Sequence, residues 1–461
     1  MIAKIEFFVA LAFISLNSCA VYHQKPINDA AVDQSLTPPN LEVVRIQARE
    51  IKHPILKPID FGKGEGLSPQ KAAVLAVLAN PTLRAVRDRR GVAAAQLLQA
   101  GILPNPGLSY SLDIPTGGNT EGTVNAYALG LNYEVIPLIT RGALVDAARA
   151  QAAAVDLDIA WQEWQTAESA KLHVYNLVVL EQQLRTARNE EKDLQGNLDV
   201  VNRALDLGDL TVVDQAAAQT GLQKARALVL TIEQQREQER LLLNQSVGFS
   251  PNQSIVLQQN IKPPSYQTLP PIAEMTQGME ERRLDLLALR KGYQSQEARL
   301  RAAILTQFPR LGIGLSRARD NSNVVSTGFS ISIDVPIFDR SQGRIAIERA
   351  TREQLFDEYM ARLFDARAEI ATISADLQSI EKQIAAAEEA IPIAANLIRN
   401  YRRALLEGNA DVVTYYNARS ELLSKQVELF KLKADMAGRI IALEIASGQC
   451  LECDATGGQA K

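Results

Sequence analysis

Side chains able to do chemistry are sparse in this sequence of 461 residues, which holds three histidines and three cysteines. His23, His53 and His173 stand far apart, while Cys450 and Cys453 form a C-x-x-C close to the C-terminus. A tetrahedral zinc site needs a second pair of Cys or His ligands at similar spacing. With none to supply it, the pair reads as a small disulfide or an inert tail, and no metal or cofactor is expected. The sequence also carries no G-x-x-x-x-G-K-[ST] phosphate loop, no G-x-S-x-G elbow and no H-E-x-x-H helix. Trp161 and Trp164, three apart on one helical face, read as packing rather than as a ligand box. Catalysis therefore has no constellation to rest on.

The third cysteine is different. Lys4, an apolar run from Phe7 to Leu16 and the small Ser18 precede Cys19, the pattern of a secretory signal with a short apolar region. So short a stretch cannot span a bilayer as a mature helix. Leu16-Asn17-Ser18-Cys19 resembles a bacterial lipobox. In that motif the signal is cut before the Cys, whose new N-terminus is acylated, palmitate included. The resemblance implies a signal peptide over 1–18 and a lipid anchor at Cys19; the alternative is an ordinary signal with an incidental Cys. Ala20, where Asp would favour retention at the inner membrane, implies the outer one.

Composition says what must position these residues. Aromatics make up 5% of the chain, and Gln, Ala and Leu dominate, which favours long helices over compact mixed domains. A formal net charge of −4 and the lack of a Lys/Arg-rich run leave no basic excess for phosphates, so nucleic acid is not an expected partner. Pro26, Pro38, Pro39, Pro54 and Pro58 punctuate the lead-in after Cys19, which has no sustained periodicity and is expected to be extended. A second Pro-rich break, Pro251 to Pro271, divides the chain into halves of similar size.

Those halves are copies. A shift of 203 residues places Leu83 on Leu286, Ala85 on Ala288, Arg87 on Arg290, Pro106 on Pro309 and Leu112 on Leu315. A shift of 200 places Arg203-Ala204-Leu205 on Arg403-Ala404-Leu405, Gly208 on Gly408 and Val212-Val213 on Val412-Val413. Within each copy the hydrophobic period switches in the same order. Asn80 to Leu103 and Arg282 to Thr306 have helical composition. Alternation follows: Leu108, Tyr110, Leu112 and Ile114, then Tyr127, Leu129, Leu131, Tyr133 and Val135, are apolar between small or polar neighbours. In the second copy Leu311, Ile313 and Leu315, then Phe329, Ile331, Ile333 and Val335, do the same. Gly-, Asn-, Thr- and Ser-rich turns join each pair into a hairpin.

Helical composition then resumes without proline, apart from Pro392, to about Leu207 and Glu407. A helix of roughly 65 residues is about 100 Å long at 1.5 Å per residue, and such rods must pack side by side in coiled-coil-like layers. The expected organisation is a signal peptide over 1–18 and a lipid-anchored extended segment over 19–66. The first repeat spans 67–248, with its hairpin at 107–136 and long helices at 141–207 and 211–247. A linker over 249–271 leads to the second repeat over 272–448, with its hairpin at 310–337 and long helices at 342–407 and 411–447, and a tail over 449–461.

An alternating strand of about 9–11 residues can cross a bilayer when tilted. A sheet spans lipid only as a closed barrel, because every backbone polar group must be paired there. Four strands are too few to close, so several chains must share one barrel. A soluble one-sided sheet would show the same alternation; the acylated N-terminus and the paired rods favour the barrel.

The residues Asn80-Pro81 with Leu83, Leu103-Pro104-Asn105-Pro106, the hairpin ends Val135-Ile136-Pro137 and Asp334-Val335-Pro336-Ile337-Phe338, and the turns at Gly208 and Gly408, taken in order with the two-fold repeat, resemble the outer-membrane efflux protein family, the TolC-like outer-membrane factors. The resemblance covers nearly all of the mature chain. It implies a mainly α fold with a transmembrane β-barrel, in which a homotrimer contributes four strands per chain to twelve and the helices continue as a hollow periplasmic α-barrel. It implies a passive conduit of a tripartite efflux or type I secretion system, opened when a periplasmic adaptor and an inner-membrane pump dock. It also assigns Gly208, Asp209 and Asp214, and Gly408 and Asp411, to the periplasmic tip that meets the adaptor. A Gly between two long helices is equally what the turn alone requires. Family members commonly carry Asp six residues after this Gly; the first copy keeps it as Asp214, and the second has Thr414 there and Asn417 three residues on. Glu407 is a further acidic candidate at that tip. Arg282, Arg283 and Asp285 resemble a family motif and are expected to cap and pair locally. The run Leu103-Pro104-Asn105-Pro106-Gly107-Leu108 is closer to the heavy-metal cation branch than to the drug-efflux branch, but it reads no substrate. A periplasmic adaptor or structural coiled-coil lipoprotein would share the anchor and the rods; it would not need two matched, lipid-competent hairpins.

Overall fold

The computed structural model describes residues 20–62, 64–266, 269–407 and 409–451; Cys19, Gly408 and Cys453 lie outside the described residues. The described residues up to Asn40 form one unit and those from Leu41 another. The first unit holds helix α1, Asp29–Leu36, whose N-terminus is capped by Asn28 accepting from the Ala31 N–H at 2.9 Å. The second unit opens with α2, Leu41–Arg49, which buries Val44 and Ala48, four residues apart and hence on one face. The lead-in expected to be extended thus carries two short helices. Helices of eight or nine residues are marginal by propensity, and α2 is held by burying Val44 against Ala72, Leu75 and Val174.

Sequence chemistry sets the next boundaries. Ser68 caps α3, Pro69–Ala79, accepting from the Lys71 N–H, with Pro69 in the first turn where its missing donor costs nothing. Asn80 then works twice. Its Oδ1 accepts from the Thr82 and Leu83 N–H groups to start α4, Pro81–Gly101, and its Nδ2 donates to the Ser246 carbonyl at 2.9 Å. The hairpin β1, Gly107–Asp113, and β2, Ala126–Glu134, leads into α5, Ile136–Asp206, and α6, Val212–Ser246. After the break come the short α7, Ile272–Thr276, then α8, Leu284–Leu305, the hairpin β3, Arg310–Arg319, and β4, Val325–Asp334, and the long α9, Gln342–Leu406, and α10, Val412–Ser447.

Helix α5, at 71 residues, is about 105 Å long at 1.5 Å per residue. It packs along α6 and α8, while α9 packs along α10. Pro392 sits inside α9 without ending it. One buried cluster, with Met275, Leu286, Ile370, Leu377, Met436 and Ile440, lies within the second repeat, and another, with Leu56, Ala73, Val77, Trp161, Trp164 and Leu284, joins the two copies. Trp164 is fully buried, so the tryptophan pair is core.

The four strands form one antiparallel sheet in the order β1-β2-β3-β4, the central β2–β3 pairing joining the two repeats. Its outer strands, β1 and β4, each leave one edge unpaired within the chain.

Candidate functional site

The register decides what the sheet can do. Leu108 faces Leu131, Leu131 faces Leu315, and Leu315 faces Phe329, so the apolar residues of all four strands fall in rows across one face. That face is bare: Leu108 is 64% exposed, Phe329 65% and Ile331 58%. A contiguous apolar surface on a protein marks a partner or a membrane. The opposite face pairs Gly with Ser: Ser109 faces Gly130, Gly312 faces Ser332, Gly314 faces Ser330 and Ser316 faces Gly328. The fit is tight, since a Cβ on Gly314 would lie 2.5 Å from the Ser330 Oγ and 3.3 Å from the Leu131 carbonyl oxygen. Small side chains on one face and large ones on the other suit a sheet that curls with its polar side inward. Among the described residues no helix is long and apolar enough to cross a membrane.

At the far end of the helices, α5 terminates in a Schellman-type turn. Gly208 has φ +79°, its N–H donates to the Leu205 carbonyl, and the Asp209 N–H donates to Ala204. Thr211 and Asp214 then form a reciprocal capping box. The Thr211 N–H and hydroxyl donate to Asp214 Oδ2 at 2.8 and 2.6 Å, and the Asp214 N–H donates back to the Thr211 Oγ1. In the second copy the roles are exchanged. Asp411 is the cap, accepting from the Val413 and Thr414 N–H groups and from the Thr414 hydroxyl at 2.8 Å. Those bonds hold the Asp411 carboxyl below its ordinary value. The Thr at 414 is thus the complement of an acid moved to the start of the turn. Both Asp214 and Asp411 are engaged with their own helices. Between the copies the apolar exposure differs: Leu207 is 78%, Val212 68% and Val213 67% exposed, while Val412 is buried against Tyr415, Tyr416 and Leu222.

Two polar ties bind the repeats and a third closes the second repeat on itself, and their long sequence separations hide them from sequence reading. Arg283, 1% exposed, forks onto Asp285 at 3.0 and 2.7 Å, donates to the Ala446 carbonyl and lies over the Trp161 ring. Burial alone would push the Asp285 carboxyl up, but Arg283 and Arg362 together bring it below the usual carboxylate range. Local pairing of Arg283 with Asp285 is visible in sequence; the reach to α10 is not. Lys171 lies 2.8 Å from both Glu168 and Glu444, all three buried, and burial pushes the Glu168 carboxyl well up. The sequence signal for it is the i, i+3 charge pair Glu168 and Lys171, each directly after an alanine, Ala167 and Ala170. Nearer the tip, Arg419 of α10 forks onto Glu190 of α5 at 2.7 Å through both nitrogens. Cys450 is disulfide-bonded, its partner outside the described residues, and its Sγ lies 3.9 Å from the Lys171 Nζ.

Residues 276–449, most of the second repeat, match the family model for outer membrane efflux proteins. No curated protein sequence matches the chain. Among solved structures, crystal structures of CusC superpose with a TM-score of 0.72 at 18% identity, over 87% of this chain and 98% of that one. The outer membrane protein VceC of Vibrio cholerae gives 0.71 at 18% identity, over 83% and 96%. The CmeC outer membrane channel of Campylobacter jejuni gives 0.68 at 15% identity, over 84% and 88%. At these identities the likeness shows the fold. The second repeat thus carries an outer membrane efflux protein domain, and the whole chain has the fold of these outer membrane channels.

Proposed function

We propose that three copies of this chain, each anchored by an acylated Cys19, close their four-stranded sheets into one twelve-stranded barrel and form the outer-membrane conduit of a tripartite efflux or secretion system. The observation that carries the reading is the sheet itself: one face apolar and bare from the helix end up to Leu315 and Phe329, the other small and polar, with β1 and β4 unpaired at the two edges. Joining β4 of one copy to β1 of the next satisfies both edges and leaves the apolar face to lipid and the Gly–Ser face to a lumen. The paired rods then continue the passage on the periplasmic side. An adaptor docks at the turn of Gly208 and at its sequence counterpart between α9 and α10, its apolar contact supplied by Leu207, Val212 and Val213 and its polar rim by Asp209. The pump supplies energy; the chain supplies the path.

The test is the native mass of the full-length protein extracted from outer membranes in mild detergent, with the intact mass of the denatured subunit. A threefold complex whose subunits start at Cys19 and carry acyl groups is expected. A monomer without acyl mass would overturn the shared barrel and make a periplasmic coiled-coil lipoprotein or adaptor the better description.

A further inference from the structure

The apolar face of the sheet is interrupted at one place. Along β3 the outward positions read Leu311, Ile313 and Leu315, then Arg317 and Arg319, before the strand turns at Asp320. Both arginines share the face of the leucines, because every second residue of a strand points the same way. Their row partners are Leu129 and Thr327 for Arg317, and Tyr127 and Val325 for Arg319. They stand at the loop end, the end farthest from where the helices join. If the sheet spans the outer membrane as proposed above, on which this inference rests, that end is the outer rim.

Neither arginine forms an ion pair among the described residues, and the adjacent Asp320 is occupied, its Oδ1 accepting from the Ser322 and Val324 N–H groups. Arg319 is held in place: its guanidinium lies 5.3 Å from the centre of the Tyr127 ring and its Nη2 donates to the Asn125 carbonyl at 2.9 Å. Its Nε is nevertheless buried with no acceptor. An orphaned, buried, charge-assisted donor costs free energy unless an acceptor arrives. Arg317 is exposed. Two residues apart along a strand, the two side chains start about 6.6 Å apart at 3.3 Å per residue, a span that one tetrahedral phosphate can bridge between two guanidinium forks. An arginine deep in the lipid face would be costly, whereas one at the interface costs little.

We propose that Arg317 and Arg319, braced by Tyr127, form a clamp for the phosphate of an anionic lipid headgroup in the outer leaflet. The acyl chains of that lipid would run down the rows of Leu129, Leu131 and Leu315. Each copy in a trimer would hold one such site.

The test uses full-length trimer in mild detergent, exposed to bis-phosphorylated lipid A, to its monophosphoryl form or to phosphatidylcholine, with retained lipid read by native mass spectrometry. The wild-type protein should retain the bis-phosphorylated lipid at least fivefold over phosphatidylcholine. The double variant Arg317→Gln, Arg319→Gln should lose that preference while remaining a trimer, and Arg317→Lys, Arg319→Lys should recover part of it through charge alone. Equal retention by wild type and the Gln variant would overturn the clamp, as would displacement of the lipid by millimolar inorganic phosphate, which would make the site one for the free anion. Failure to form a detergent-dependent trimer in the wild type is a separate result: it removes the barrel reading itself, and the clamp with it.

Discussion

Arg283 shows how much one side chain can carry. It is buried, its charge is met by Asp285, and it spans from the start of α8 to the end of α10. Removing one partner of a buried pair costs about 3–5 kcal/mol when the other is stranded, and here Arg362, 2.9 Å from Asp285, keeps part of the compensation, so the loss lies below that. Arg283→Ala should therefore lower the midpoint of unfolding sharply, measured by thermal melting of the detergent-solubilised protein. A variant melting like wild type would show the tie to be redundant. His53 makes a second case. Its Nε2 lies 3.0 Å from the Ala160 carbonyl, while its Nδ1 accepts from the Ile55 and Leu56 N–H groups, so the geometry fits only the neutral ring protonated on Nε2. Burial holds its pKa below the ordinary value, with the Ala160 carbonyl and Glu163 opposing. The sign follows: above 6.5 neither state binds the proton, and as pH falls below 6.5 the unfolded chain takes it up first, so stability declines toward acid. His53→Gln should flatten the decline between pH 7.5 and 5 in the same melting assay; an unchanged slope would acquit His53.

Among elements, the two tip turns and the small face of the sheet make distinct predictions. Thr211→Ala removes the cap of α6 and half of its capping box, about 1 kcal/mol of local stability. Asp411→Ala should act in the same direction on α10. Faster amide exchange in the first turns of α6 and α10, with the sheet unaffected, is the expected readout; uniform exchange would mean that packing and not capping holds the tips. On the sheet, Gly314→Leu puts bulk against Ser330 and the Leu131 carbonyl on the face assigned to the lumen. Single-channel conductance in planar bilayers should fall. If the channel forms and its conductance is unchanged, this face does not line the pore.

For the whole molecule, the surface left bare by one chain says what must cover it. On α9, Phe356, Met360 and Phe364 follow one another at four-residue spacing and are 49%, 46% and 73% exposed, an apolar stripe that meets only the Tyr293 ring, at Phe356, among the aromatic contacts of the described residues. Phe364→Glu should shift the assembly from trimer toward monomer in light scattering of the purified protein. A stable trimer would place the stripe away from the subunit contact.

The sequence by itself determined the kind of elements and their order. Period-two alternation at Leu108 to Ile114 and Leu311 to Leu315, the turn glycines and the two-fold repeat are local or translational patterns, and local patterns survive in one dimension. The change from Asp214 to Thr414 is visible there as a departure between the copies, but the exchanged capping roles of Thr211–Asp214 and Asp411–Thr414 appear only in the structure. Tertiary structure alone decided the rest. The β2–β3 register that merges the two apolar faces, the Glu444 that meets Lys171 from 273 residues away, and the packing that makes α2 a helix all depend on contacts between distant segments. Pairwise burial and charge compensation fix such contacts, and no spacing along the chain encodes them.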